Sequence, residues 1–181
     1  YERIYIQWGL SKFFPAKTMS SHVTNWNRNT SVKFRTDVCS SCKLGFDIDL
    51  KSLSAEEYQF VKQAVSNYDL MKPVIFDGDL YRLVSPYEGN HCAINYVSND
   101  QQRAVLFAFD LHPRYMEPLT NVRLQGLDPD RTYMVRETNL MPGKKSELAC
   151  DGKQYSGDYL MKVGLNVFTA QDGTSHVLTL E

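Results

Sequence analysis

Two pairs of aspartates in this chain have a spacing that could support acid–base chemistry. Asp47 and Asp49 lie in the stretch FDIDL, and Asp77 and Asp79 lie in FDGDL. On a β-strand, residues two apart point to the same side, so each pair could place two carboxylates at one site. Both pairs also alternate with apolar residues, which is typical of a strand with one buried and one solvated face. We favour this structural interpretation and predict no catalytic role for either pair.

Cys39 and Cys42 have the C-x-x-C spacing of a redox motif or of half a zinc site. Zinc would need two further ligands, and no second C-x-x-C or H-x-x-x-H pair follows in the sequence. A redox pair would lie at a helix N-terminus, where the dipole lowers the thiol pKa, whereas this pair precedes strand-like residues. Cys39 and Cys42 are therefore predicted to be free thiols in a cytoplasmic protein, and to take part in neither a metal site nor a redox cycle.

The remaining residues give no support for phosphate, nucleic-acid or membrane binding, but their aromatic content is compatible with sugar binding. The four histidines accompany no nucleophile in a recognisable motif, and there is no Gly-rich phosphate loop. A formal net charge of −1 gives no electrostatic reason to expect nucleic acid or an anionic membrane as a partner. No apolar run approaches the ~20 residues that a membrane span needs. Eleven Tyr, nine Phe and two Trp fit either a strand core or a surface on which sugar rings stack.

The elements that must position these residues fall into two parts. Ser54 and Glu57 form a capping box, and apolar residues at three- and four-residue steps then predict a helix over about 55–71, which Pro73 ends. Before it, residues 2–8 could be a helix end or a strand, and the polar stretch 18–38 has no clear period, which predicts an irregular connection.

From about residue 74 the sequence predicts strands. DLYRLVSP alternates, HCAINYVS and RAVLFAFDL form a hairpin around a polar turn, and NVRLQGL, TYMVRE and SHVLTL are further candidates. YSGDYLMKVGL predicts a short helical turn that Gly164 can cap. Several short strands at close spacing are typical of an antiparallel sandwich.

Several stretches in order resemble family 36 of the glycoside hydrolases, the retaining α-galactosidases. RIYIQWGLSKFFPAKTMSSHV is similar to a family segment that reads approximately R-x-x-I-Q-x-G-x-S-x-x-F-P-x-x-x-M-x-x-H-V. FRTDVCSSCKLGFDIDL is similar to R-x-x-V-A-x-x-x-x-x-G-y-E-L-D-L, except that Cys39 replaces the usual alanine and Cys42 lies in a turn rich in Gly and Ser. The resemblance continues through LSAEEYQFVKQAVSNYDLMKPVI, GDLYRLVSPYEGN and YSGDYLMKVGL.

The resemblance implies an α+β fragment, in which the last part of a (β/α)8 barrel is followed by an antiparallel β-sandwich. The barrel end would cover residues 1–73, including the final helix, and the sandwich would cover 74–181. We then expect the apolar residues of the first segment to pack against barrel elements outside this chain; these are Ile4, Ile6, Trp8, Phe13 and Phe14.

The resemblance also implies an activity, which is the hydrolysis of terminal α-galactosyl residues from oligosaccharides with retention of configuration and without a cofactor. Retention needs two carboxylates about 5–5.5 Å apart. In the family both lie upstream of the matched segments, so we assign no catalytic residue here and expect the isolated chain to be inactive. The oligosaccharide would bind through the barrel, and the full-length enzyme is expected to be a homo-oligomer.

If AKTMSSHV is the eighth barrel strand and its exit, then Ser21, His22 and Asn25 line the rim of the substrate site. An alternative role, which we favour for His22, is to hold the loop through hydrogen bonds to backbone. The β-domain could bind carbohydrate itself through its aromatics (Tyr81, Tyr87, Tyr96 and Tyr115), or it could only support the barrel or an oligomer interface. We favour the supporting role, since these aromatics alternate as core residues do.

Overall fold

The computed structural model describes residues 1–26 and 29–181. In chain order the helices and strands are α1 (Glu2–Leu10), β1 (Ser20–Thr24), α2 (Val32–Ser40), β2 (Lys43–Asp47), α3 (Ala55–Asp77), β3 (Asp79–Val84), β4 (His91–Val97), β5 (Ala104–Asp110), β6 (Thr132–Thr138), β7 (Gln154–Ser156), α4 (Gly157–Lys162) and β8 (Thr174–Leu180). Short 3₁₀ turns precede β1 and α3, at Ala16–Thr18 and Leu50–Ser52. The protein is an α+β fold with an antiparallel sheet, as the sequence predicts.

The first part of the chain contains a parallel pair of strands joined by a helix. β1 and β2 pair in register from Ser20↔Lys43 to Thr24↔Asp47, and α2 connects them. The prediction of an irregular connection over 18–38 is therefore wrong for β1 and α2, while Asn27 and Arg28 within it lie outside the described residues. The helical period is hidden because the buried side of α2 carries polar residues, namely Thr36, Asp37 and Ser40.

The longest helix, α3, confirms the predicted start and corrects the predicted end. The amide of Glu57 donates to Ser54 Oγ at 3.1 Å, and the Ser54 amide donates to Glu57 Oε2 at 2.9 Å. The helix continues through Pro73 to Asp77, because the burial of Val74 and Ile75 compensates for the hydrogen bond that proline removes. Among the described residues, no helix is long and apolar enough to cross a membrane.

The second part of the chain forms one six-stranded antiparallel sheet, in the order β3-β4-β5-β8-β6-β7. The predicted hairpin is confirmed, with β4 and β5 paired from His91↔Asp110 to Val97↔Ala104. The strand predicted at NVRLQGL is wrong, since that stretch contributes only an isolated bridge between Val122 and Leu165. The sequence predicts two packed sheets, but the layer over the outer face of this sheet is mostly irregular chain.

Both faces of the sheet are buried, which places it between two layers. Its inner face packs against the first part of the chain and forms the helix-side core, which includes Ile4, Trp8, Phe34, Val38, Tyr68, Met71, Ile75, Tyr96, Phe107 and Phe109. Its outer face forms a second core with the irregular segments, which includes Ala93, Leu106, Val122, Leu124, Tyr133, Leu160, Val167 and Leu178. All seven residues of β5 are buried, because this central strand contributes to both cores.

The apolar residues of the first segment divide between core and surface. Ile4 and Trp8 are buried in the helix-side core, so the expectation that they pack only against other polypeptide is wrong. Ile6, Phe13 and Phe14 are exposed. One side of α1 therefore packs on the sheet of this chain, and the opposite side carries apolar residues at the surface.

A buried polar network joins the two parts of the chain. The Asp37 carboxylate on α2 accepts hydrogen bonds from Lys33 Nζ at 2.6 Å, Ser175 Oγ at 2.7 Å and Asn139 Nδ2 at 2.8 Å. Asn67 on α3 donates to Asn139 Oδ1 at 2.9 Å. Through these contacts the helices α2 and α3 are connected to strand β8 and to the residue that follows β6.

Candidate functional site

The two parallel strands present one exposed side, which we call the open face. Burial along β1 alternates, with Ser21 and Val23 buried and the residues between them more exposed. On β2, Leu44 and Phe46 pack against the helices, which turns the other residues to the opposite side. The open face consists of Ser20, His22, Thr24, Lys43, Gly45 and Asp47, which pair across the strands in that order.

His22 lies across Gly45 on the open face. The two residues are direct partners in the parallel register. A Cβ atom at residue 45 would lie 2.1 Å from His22 Cδ2 and 2.6 Å from His22 Nε2, which is closer than any real contact. Because glycine has no side chain, the imidazole can occupy the space beside residue 45 on the neighbouring strand. Gly45 is thus a positioning residue for His22.

Replacement of Gly45 by alanine should move the His22 ring, since the added methyl group would occupy its place. The measurement is the His22 ring resonances in a ¹H–¹³C NMR spectrum, in which we expect a clear chemical-shift change. Gly89→Ala is the matched control, because a Cβ there would meet no atom within 4 Å. An unchanged His22 resonance in the Gly45→Ala variant would contradict this arrangement.

The other two residues predicted for the rim have different positions. Ser21 is buried on the opposite side of β1, where its hydroxyl donates to Cys39 Sγ at 3.2 Å. Ser21 therefore does not lie on the same side as His22, as the predicted rim requires. Successive residues of a strand point to opposite faces. Asn25 lies just beyond the end of β1, and its Oδ1 accepts a hydrogen bond from Ser52 Oγ at 3.4 Å. The structure thus brings Asn25 near the loop that follows β2.

A cleft of about 330 Å³ opens beside β1, between the start of α1 and one side of α2. Its walls include His22, Thr24 and Trp26. Trp26 follows the end of β1 and is 82% exposed. A guanidinium N–H of Arg35, which also lines the cleft, donates to the carbonyl oxygen of Thr24 and holds this strand end against α2.

The aspartate pairs do not form two-carboxylate sites. Asp47 ends β2 on the open face, while Asp49 caps the following turn by accepting from the Lys51 amide at 3.0 Å. Asp77 ends α3 and Asp79 begins β3, so those two carboxylates belong to different elements. Across residues 1–26 and 29–181, no group of three His, Cys, Asp or Glu side chains could hold a metal ion.

All four cysteines are free and buried. Cys39 lies near the C-terminal end of α2, which is the opposite end from that of a redox motif. Burial raises the pKa of the Cys39 thiol and raises the pKa of Cys42 to about 12. At neutral pH both sulfurs are therefore protonated, and protonated thiols are poor nucleophiles and poor metal ligands.

Comparison with known proteins gives two family matches that follow each other along the chain. Residues 1–78 match the melibiase family, and residues 91–180 match the C-terminal domain of glycosyl hydrolase family 36. The chain belongs to glycoside hydrolase family 36. It corresponds to a C-terminal portion of the proteins in this family.

Individual relatives agree with this assignment. A probable α-galactosidase G from Aspergillus terreus is 33% identical over 99% of this chain, and α-galactosidase AgaA from Geobacillus stearothermophilus is 32% identical over 90%. The crystal structure of the family 36 α-galactosidase AgaB from Geobacillus stearothermophilus superimposes on 99% of the chain with a TM-score of 0.85 and 31% identity. The chain spans only 24%, 21% and 24% of these three proteins, respectively.

Two residues of the candidate site, Trp26 and Gly45, are not among those that the sequence predicts. Trp26 had a usable signal, since it is a large aromatic residue in a polar stretch next to the residues already selected. Gly45 had no signal of its own, because its role depends on the pairing of β1 with β2, which the sequence analysis did not predict.

Proposed function

We propose that this chain is the C-terminal part of an α-galactosidase that hydrolyses terminal α-galactosyl residues from oligosaccharides with retention of configuration. The observation that carries the proposal is the superposition of 99% of the chain on family 36 α-galactosidases, at a TM-score of 0.85. Those structures include an AgaA variant in complex with raffinose and another in complex with stachyose. The same class of α-galactoside oligosaccharide is the proposed substrate.

We infer that the first part of the chain is the end of a (β/α)8 barrel. The order α1-β1-α2-β2-α3, with β1 and β2 parallel, is that of two successive barrel units. Since β2 follows β1, β1 would be the seventh strand and not the eighth as the sequence suggested. The proposed domain boundary also moves from residue 73 to Gly78, because α3 continues to Asp77.

Gly78 supports this boundary because it allows the close approach of α3 and the sheet. A Cβ at residue 78 would lie 2.3 Å from the carbonyl oxygen of Val97 and 2.5 Å from that of Val74. The chain therefore turns directly from the last helix of the proposed barrel into β3. The proposed C-terminal β-domain then covers residues 78–181, with the sheet as one layer and the irregular segments as the other.

The proposed role of the β-domain is to support the barrel. Tyr96 on β4 donates from its hydroxyl to the Ser41 carbonyl oxygen at 2.7 Å. Arg82 on β3 donates to Ser11 Oγ at 2.8 Å and also to the Ser11 carbonyl oxygen. These bonds hold the end of α1 and the turn between α2 and β2, which lie on either side of β1.

An independent carbohydrate-binding role for the β-domain has less support. Such a role would need aromatic rings exposed together on one side of the sheet. Tyr96 is buried in the helix-side core, and Tyr81 is only partly exposed and lies against Gly126. Tyr87 is exposed but its hydroxyl contacts the Tyr5 carbonyl oxygen at 3.3 Å, beside α1. Tyr115 is also exposed, but it lies on the loop after β5, as Tyr87 lies on the loop after β3. The four aromatics named for this role therefore do not lie together on one side of the sheet.

In this proposal the open face looks into the barrel, and its carboxyl-terminal end contributes to the rim of the substrate site. His22 and Asn25 are the proposed rim residues. The nucleophile and the acid/base carboxylate would come from the polypeptide that precedes these elements in the family. Asp47 lies on the open face, but the second carboxylate that retention requires at about 5–5.5 Å is not supplied by Asp49.

The activity test compares two proteins on a chromogenic α-galactoside. The complete product of the open reading frame that encodes this chain should release the chromophore, whereas residues 1–181 alone should stay at the buffer rate. Turnover by the isolated chain that co-purifies with it and disappears in an Asp47→Asn variant would contradict the assignment of the carboxylates. A complete product with no turnover would contradict the proposed function.

A further inference from the structure

His91 and Asp110 form a buried pair at one end of the sheet. They are the first residue of β4 and the last of β5, and they are direct partners in the antiparallel register. His91 Nδ1 lies 2.7 Å from Asp110 Oδ1, while Asp110 Oδ2 accepts from the Thr169 amide at 3.0 Å and from the Thr174 hydroxyl at 2.8 Å. Because a carboxylate accepts hydrogen bonds, Nδ1 is the donor and carries a proton.

The second ring nitrogen of His91 has no such partner. Nε2 is enclosed and makes no hydrogen bond within the part of the chain that the structure describes. Glu117 Oε1 lies 3.9 Å from it, beyond hydrogen-bond distance. In the neutral imidazole, Nε2 is an acceptor that faces another acceptor, and protonation alone turns it into a donor. Phe168 lies against the ring, with 4.4 Å between the centroids, and an aromatic ring attracts a cation.

Glu117 closes a turn in the loop that follows β5. Its amide donates to the carbonyl oxygen of Arg114 at 3.0 Å, and the Arg114 amide donates to Glu117 Oε2 at 2.8 Å. Met116, within this turn, has a φ of 58°, which few residues other than glycine adopt, so the turn depends on these contacts. The bonds from Arg114 and from Asn90 Nδ2, at 3.0 Å, hold the pKa of Glu117 below its ordinary value. The carboxylate therefore stays charged in mildly acidic solution.

We propose that His91 and Glu117 form a pH-dependent contact that holds the turn at residues 114–117 against the sheet. When the pH falls, a proton from solvent binds His91 Nε2. The new N–H group then donates to the Glu117 carboxylate, which has to move by about 1 Å to reach the usual length of such a bond. When the pH rises, the proton leaves and the bond is lost. The ionisable groups that face the ring are Asp110 and Glu117, with Arg114 beside Glu117.

The experiment measures amide hydrogen exchange by mass spectrometry in the complete product of the open reading frame that encodes this chain. Protection is the exchange rate relative to that of an unstructured chain at the same pH, and it is compared at about pH 5.5 and about pH 7.5, across the range in which histidine changes charge. We expect residues 114–117 to be better protected at the lower pH by about 5- to 30-fold, the effect of one charge-assisted hydrogen bond.

Two variants should lose this pH dependence. Glu117→Gln removes the charge that faces Nε2 but keeps an oxygen that can accept from Asn90 and Arg114. His91→Gln removes the group that binds the proton. Since Glu117 lies on a loop, its variant decides the question if His91→Gln fails to fold.

His176→Gln is the matched control. His176 on β8 lies at the same end of the sheet, its Nδ1 is 2.6 Å from Glu137 Oε1, and its Nε2 is likewise enclosed without a partner. Among the described residues, Glu137 is the only carboxylate at ion-pair distance from it, so this variant should keep the pH dependence of the turn. Equal protection at both pH values in the unmodified protein would overturn the proposal. A pH dependence that survives Glu117→Gln, or that disappears in His176→Gln, would overturn it as well.

Discussion

Replacement of Asp37 by alanine should lower the free energy of unfolding of this chain by about 3–5 kcal/mol. The Asp37 carboxylate is fully buried and accepts hydrogen bonds from Lys33, Ser175 and Asn139. Its removal leaves the ammonium of Lys33, which is only 18% exposed, without its partner at 2.6 Å. Against a total stability of about 5–15 kcal/mol, this is a large fraction. Urea denaturation of the variant and the unmodified chain measures the difference.

Asp69→Ala is the control for this prediction. Asp69 also pairs with a lysine on its own helix, at 3.2 Å from Lys72 Nζ, but both side chains are largely exposed to solvent. Surface pairs contribute about 0–1 kcal/mol, so the unfolding midpoint should change little. If Asp37→Ala and Asp69→Ala have the same small effect, the buried network does not join the two parts of the chain as described.

Replacement of Phe34 by alanine should lower the free energy of unfolding by about 3–5 kcal/mol, because it leaves a cavity in the helix-side core. Phe34 is on α2, 2% exposed, and its ring centroid lies 6.0 Å from that of Phe109 on β5. The side chain therefore holds the first part of the chain against the sheet. The measurement is the unfolding midpoint and its cooperativity, followed by circular dichroism in urea.

Phe13→Ala provides the comparison, because Phe13 follows α1 and is 80% exposed. Truncation of an exposed side chain usually changes stability by less than about 0.5 kcal/mol. Two results would show that the two parts do not share one core. In the first, Phe34→Ala lowers the stability as little as Phe13→Ala does; in the second, it unfolds the helices while the sheet keeps its stability. Either result would restore the sequence-based expectation that the first segment packs only against other polypeptide.

The features that the sequence predicted well depend on neighbouring residues. The capping box of α3 needs only Ser54 and Glu57, three residues apart, and both of its hydrogen bonds are present. The β4–β5 hairpin needs alternation on each side of a short polar turn, which is also local. The family resemblance needs short motifs in order, and both family matches confirm it.

The features that the sequence missed depend on distant partners. α2 has no apolar period because its buried side uses Asp37, whose partners Asn139 and Ser175 are 102 and 138 residues away in sequence. Pro73 normally ends a helix, but packing of the residues that follow it carries α3 onward. Secondary-structure propensity was overridden by tertiary contacts in both places.

At the candidate site, too, the positions of side chains depend on residues that are distant in sequence. Ser21 and His22 are neighbours in sequence, and the strand alternation that separates them was hidden while this stretch was interpreted as a loop. The position of the His22 ring requires Gly45, which is on a different strand. The face on which each residue lies therefore depends on strand pairing, which the sequence does not predict here.

The proposed function is tested most directly by ¹H NMR of raffinose incubated with the complete product of the open reading frame that encodes this chain. We expect raffinose to be converted to galactose and sucrose, with the α-anomer of galactose appearing first and the β-anomer following by mutarotation. That order is the signature of retention through two closely spaced carboxylates. Unchanged raffinose, or galactose that appears first as the β-anomer, would contradict the assignment of this chain to a retaining α-galactosidase.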